Sequence, residues 1–163
     1  MASNAILYRM PSGIPGDLSR ASVATVESIP LNSSAPFAGF GLFGKIVSGT
    51  FQPIGAGDTA AAVYGALVRP YPTGGSQDPL GTSTPPTTGI ANVLRRGYMT
   101  VKNNAGTPAL GSQVYVRVAN AAAGKPIGGI EAASDSTNTI AITGATFTNA
   151  GDANGNVEIA FNI

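Results

Sequence analysis

Strict alternation in two stretches limits the fold before any other feature does. From Asn156 to Ile163, the residues Val157, Ile159, Phe161 and Ile163 alternate with Asn156, Glu158, Ala160 and Asn162. In Gln113–Ala119, Val114, Val116 and Val118 alternate with Gln113, Tyr115 and Arg117. A period of two puts one set in the core and the other in water. No segment longer than about seven residues shows helical spacing with caps at both ends. Short strands recurring at intervals of roughly ten residues suit a barrel or a sandwich. The sequence therefore predicts an all-β fold: a single-domain antiparallel β-barrel or jelly-roll-like sandwich over residues 20–163. An extended N-terminal arm (residues 1–19) and a long Pro/Gly/Thr-rich loop complete it.

The chain is organised around the stretch Asp58 to Lys102. Two β-favouring runs, Ala62–Arg69 and Ile90–Lys102, flank a connection of Pro, Gly, Thr and Ser whose one charge is Asp78. Such sequence cannot continue a ladder and belongs on the surface, where long loops serve contacts. Before it, Ala21–Ile29 reads as a weak strand ended by Pro30. LFGKIVSGTFQPI reads as a strand or hairpin bent near Gly44 and Gly49. Asp58 is placed to cap one helical turn through Ala62. After it, Thr139–Thr143 and Ala145–Thr148 are expected to pair with the last strand across NAGDANGN, whose Asn-Gly is a turn signal. Met1–Ser19 has no periodicity and reads as an arm, with Ile6, Leu7, Tyr8 and Met10 as anchors for a neighbouring subunit.

Composition narrows the function. Charged residues make up 10% of the 163 and apolar residues 43%, with a net charge of +1. That balance folds rather than staying disordered. A surface so poor in charge repels neighbours weakly and suits a protein packed against others. Near-neutral charge argues against nucleic acid, which a basic face must grip. No cysteine is present, so disulfides and thiolate metal sites are excluded. The first residues lack the basic-then-apolar pattern of a signal peptide, and the apolar run Ala60–Val68 is too short to span a bilayer. The expectation is a protein made in the cytoplasm, with no membrane partner.

Candidate chemistry is thin. Gly39-Phe-Gly41-Leu-Phe-Gly44 matches a dinucleotide fingerprint by letter, but the β-branched, glycine-broken KIVSGTF follows it where a helix is required. Asp152, Asn154, Asn156 and Glu158 offer alternate oxygens without the spacing of a calcium loop, and a hairpin turn accounts for them. With no histidine there is no triad and no usual general base. The sequence thus yields no catalytic, cofactor or metal residues. It yields contact residues instead. Arg95-Arg96 is the one adjacent pair of charges; neighbours in a strand point to opposite faces, so one should find a carboxylate, with Glu131 or Glu158 as candidates. Arg69-Pro70-Tyr71-Pro72 presents an arginine and a tyrosine at the mouth of the loop, residue types enriched at interface hot spots.

Taken together, GDTAAAVYGALVRPYPTGGSQDPLGT, NVLRRGYMTVK, SQVYVRV, GKPIGGIEAASDSTNTIAITGATFT and GNVEIAFNI resemble the structural cement, or head decoration, proteins of tailed phages. The likeness runs from about Gly16 to Ile163. It implies a non-enzymatic, β-rich accessory protein bound to the outside of the major capsid protein shell. It also implies a homo-oligomer, dimer or trimer, on a local symmetry axis. Ile6, Leu7, Tyr8, Arg69, Tyr71, Arg95 and Arg96 are then the expected interface residues. The competing readings are a carbohydrate-binding or adhesin-like β-sandwich of the virion, disfavoured by the lack of tryptophan, and an enzyme built on Glu131 or Glu158.

Overall fold

The computed structural model describes residues 12–70 and 84–163. Among the described residues nine strands form: β1 (Thr25–Pro30), β2 (Phe43–Val47), β3 (Thr50–Pro53), β4 (Gly65–Leu67), β5 (Ile90–Lys102), β6 (Gln113–Arg117), β7 (Ile130–Glu131), β8 (Thr139–Phe147) and β9 (Asn156–Phe161). The only helical pieces among the described residues are single 3-10 turns at Ala21–Val23, Ala60–Ala62 and Ser136–Asn138. None is long and apolar enough to cross a membrane. The ladders are antiparallel and follow the order β3-β2-β4-β5-β9-β8-β6-β7, with β1 also on β5. This sheet curls into a half-barrel, as the alternating pattern predicts for an all-β domain.

β5 is the spine. Its first half pairs with β1 and β4, and its second half pairs with β9. Isolated bridges then bring each curl back on itself: Leu31 meets Phe51 of β3, and Asn103, just past β5, meets Ile130 of β7. Two cores result. The smaller gathers Ile29, Leu31, Phe37, Phe51, Leu67, Ala91 and Val93, with Phe37 and Phe51 stacked at 4.9 Å. The larger gathers Phe43, Leu94, Met99, Val101, Val116, Ile159 and Phe161, with Phe43 and Phe161 edge to face at 5.2 Å.

Leu94 and Met99 reach the same core although five positions separate them, which simple alternation forbids. An extra residue restores the parity. Thr25 faces Arg96 and Val26 faces Leu94, so Arg95 stands alone as a β-bulge. Gly97 follows with φ +136°, where a Cβ would come within 2.9 Å of Ala24 Cα. A one-residue slip turns every later side chain over, and here it hands β5 from one core to the other.

Several expectations need correction. Ile163 is 57% exposed rather than in the core, because Asn162 takes φ +55° and the ladder ends at Phe161. Arg117 is not on a wet face; it is 2% exposed and satisfied by buried carboxylate contact. Asp58 caps no helix: its carboxylate accepts from the Gly55 amide at 2.6 Å and from Lys45 at 2.9 Å. Thr139–Thr143 does not lie on β9. Thr139, Ile140 and Ala141 pair with β6, and only Ala145–Phe147 pairs with β9, the strand turning at Gly144 with φ +77°. The expected hairpin near Gly49 is β2–β3, closed by Ser48 and Gly49 with φ +49° and +80°, the twist that suits a two-residue turn.

Candidate contact surface

Most carboxylates of the described residues are engaged in holding the fold. Of the eight acids, only Asp78 lies outside the described residues. Glu131 and Asp135 each accept from Arg117 at 2.6 Å. Glu158 accepts from Arg20 at 2.8 Å and from the Thr148 hydroxyl at 2.6 Å. Asp152 is the hairpin knot, accepting from the amides of Asn154 and Asn156, both at 2.9 Å. Burial pushes the carboxyls of Asp152 and Glu158 up, yet their hydrogen bonds outweigh it and both sit below the usual carboxylate range. Asp135 is lowered by its bond from Arg117. Asp17 goes the other way, raised by burial against the opposing charge of Arg69. Among the described residues no three potential ligands gather as a metal site. The glycine run Gly39–Gly44 leads into β2 and not into a helix.

The candidate contact residue Arg69 lies instead just past β4, beside the segment 16–19. The segment 16–19 runs along β5: Gly16 N–H donates to Thr100, and Thr100 N–H to Asp17. Arg69, just past β4, donates its amide to Gly16 at 2.8 Å and holds its guanidinium 5.8 Å from the Phe40 ring. Beside it opens a cleft of about 310 Å³, lined among others by Pro15, Phe40, Arg69, Lys102, Asn104 and Pro126. The cleft carries two cations and no carboxylate. From the sequence Arg69 reads as a contact residue without a cleft; Phe40, Lys102 and Pro126, which share that cleft with it, come from segments up to 86 positions apart in number. No local pattern announces such a meeting.

Arg95 and Arg96 part company, though not by the expected rule. At the bulge Arg95 lies over the Tyr64 ring, 3.5 Å from its centroid, and 3.6 Å from the Glu27 carboxylate, whose other contact is the Tyr64 hydroxyl at 2.5 Å. Its guanidinium also donates to the Tyr64 carbonyl. Glu131 and Glu158, the partners expected from sequence, are taken by Arg117 and Arg20. Arg96 is exposed. Ile6, Leu7, Tyr8 and Tyr71 lie outside the described residues. Exposed large apolar side chains elsewhere are Ile14, Val23, Val26, Val47, Ile90, Leu110 and Ile163.

A small curled β domain whose carboxylates mostly meet its own cations, with several large apolar side chains exposed, has the character of a structural contact protein. The model of the XM1 gp53 minor capsid protein family matches residues 3–161, and the chain belongs to that family, a family of phage capsid proteins. In fold it is similar to a chain in the capsid of Myoviridae phage XM1, at 21% identity and a TM-score of 0.74 over 99% of this chain and 97% of that one. No curated protein matches it.

Proposed function

We propose that this protein is a capsid cement: it docks on the outer surface of the shell built by the major capsid protein and bridges neighbouring subunits. Family membership over residues 3–161 carries the reading. The committed carboxylates support it by leaving no acid–base pair for chemistry among the described residues. The mechanism is linkage. A protein that binds the assembled shell and not its separated subunits stabilises assembly by its binding free energy. Copies that pair or form trimers touch several subunits at once and dissociate slowly. Arg69 and Tyr71 at the loop mouth, Arg96 on β5, and Ile6, Leu7 and Tyr8 in the arm of residues 1–19 are the proposed contacts, with Arg95 holding the surface beside Arg96. The protein acts on the head exterior after synthesis in the bacterial host, without nucleic acid or membrane.

The test is co-sedimentation with expanded heads and with the unexpanded precursor shell, followed by calorimetry of the heads. Saturable binding to expanded heads with a raised head melting temperature is the expected result. Absence of binding to both forms overturns the reading.

A further inference from the structure

β1 is paired along its length on one edge only; at the other, β3 comes up to its far end, where Leu31 bridges Phe51, and leaves Thr25–Ser28 open. The Leu31 amide donates to Gly89 at 2.8 Å, and Ile29 and Glu27 stand opposite Ala91 and Val93. Alternate residues of a strand turn their backbone groups to opposite edges. Leu31, Ile29 and Glu27 therefore face β5, while Val26 and Ser28 turn their N–H and C=O groups outward. Pro30, which has no N–H, falls in the outward set, where a strand tolerates it. Among the described residues no strand lies outside Val26–Ser28, and Thr25, Val26, Glu27 and Ser28 are all exposed. An open edge bearing an exposed valine is a template for another strand.

We propose that this edge accepts residues 4–10 of a second copy, Asn-Ala-Ile-Leu-Tyr-Arg-Met, as an added strand. Ile6, Leu7 and Tyr8 are residues that suit a pleated surface, and Pro11 ends the run. Charge is compatible with this partner. Arg9 is the one charged side chain in residues 1–11, and it would bring a second cation to Glu27, the one charge on β1, which already meets Arg95 and Tyr64. Two β1 strands paired symmetrically in their fullest overlap would set Glu27 against Glu27, and like charges directly opposite are destabilising.

Reach excludes the chain's own segment. Ser12 is held by the Asp152 carboxylate at 3.3 Å and by the Thr100 hydroxyl at 2.5 Å. Leu94, the partner of Val26, is six residues back along β5, about 20 Å at the rise of a strand. An extended chain needs all of residues 6–11 to cross that distance, so in the same molecule Leu7 and Tyr8 fall short of Val26 and lie beside it only from another copy. The pairing is between copies and stands or falls independently of capsid binding.

The chain has no cysteine, so single cysteines report cleanly. Full-length Leu7→Cys and Val26→Cys chains are mixed at high concentration and treated with a short thiol-specific cross-linker, which tolerates a one-residue slip in register. Leu110→Cys, 80% exposed, replaces Val26→Cys in the collision control. The expected result is a Leu7–Val26 dimer in clear excess over the control, lost when the acceptor chain also carries Ser28→Pro, which deletes an outward donor and leaves the bonds to β5. Calorimetry checks that this chain still melts as a folded domain; if it does not, Val26→Cys,Glu27→Lys serves as the acceptor, with the same loss expected from charge reversal. No excess over the control, or Val26–Val26 dimers in place of the mixed ones, overturns the proposal.

Discussion

Arg117 Nε and Glu131 Oε1 stand 2.6 Å apart with both side chains nearly out of water, 2% and 1% exposed. The same guanidinium reaches Asp135 at 2.6 Å and the carbonyls of Ala119 and Asn120 at 3.2 Å. One side chain thereby ties β6, β7, the connection between them and the segment that follows β7. A buried pair adds little net stability over apolar residues of the same shape, but removing one member leaves an uncompensated charge. Arg117→Met should cost about 3–5 kcal/mol in urea unfolding. Adding Glu131→Leu should recover part of that loss; no recovery means that the pair is not the seat of the effect.

Asp135, Asp152 and Glu158 are all held below the usual carboxylate range by hydrogen bonds to their charged forms. Their contribution is complete above the unfolded values, near about 4, and is lost as pH falls through the lower folded values. Asp17, raised by burial, has the opposite sign: the folded state holds its proton more tightly, so its contribution grows as pH falls from the raised value toward the unfolded one. Calorimetry should show a plateau at neutral pH, resistance to acid down to about pH 4, and a steep loss below it. Asp17→Asn should remove any rise on the acid side of the plateau and leave the steep loss in place.

The handover of β5 between cores depends on Gly97. With φ +136° and Ala24 Cα at 2.9 Å from any Cβ, Gly97→Ala is both strained and crowded and should cost more than about 1 kcal/mol. Gly39→Ala is the control, since nothing lies within 4 Å of a Cβ there; it should melt like the parent. Equal melting of both variants would show that the turn at Gly97 tolerates a side chain.

Much of this architecture could be read from local pattern. β5 runs from Ile90 to Lys102, the bounds of the expected run, and Val114, Val116, Val157 and Ile159 are all buried as alternation requires. What escaped was set by distant partners. Arg117 sits in a polar position of its own alternation and is buried only because Glu131 and Asp135 return to meet it. The bulge at Arg95 leaves no mark in a sequence where two arginines read as ordinary strand neighbours. Phe40 and Lys102 flank Arg69 only after the sheet curls. Pattern reports the face of a strand; it does not report which strand comes to cover it.

The two adjacent arginines separate fold from contact. Arg95 lies on Tyr64 and beside Glu27, partly open to water, so Arg95→Ala should cost about 1 kcal/mol of stability through the lost cation–π and ion-pair contacts. Arg96 is exposed, and Arg96→Ala should leave the melting temperature of the free protein unchanged. If Arg96 contacts the shell, the same substitution should weaken binding to expanded heads by about tenfold, the scale of a hot-spot arginine. Calorimetry of the free protein and a binding isotherm on heads, run on both variants, give four readings. A fall in head affinity for Arg96→Ala without a fall in melting temperature assigns it to the interface. Unchanged affinity removes Arg96 from the contact set and moves the docking surface toward the cleft beside Arg69.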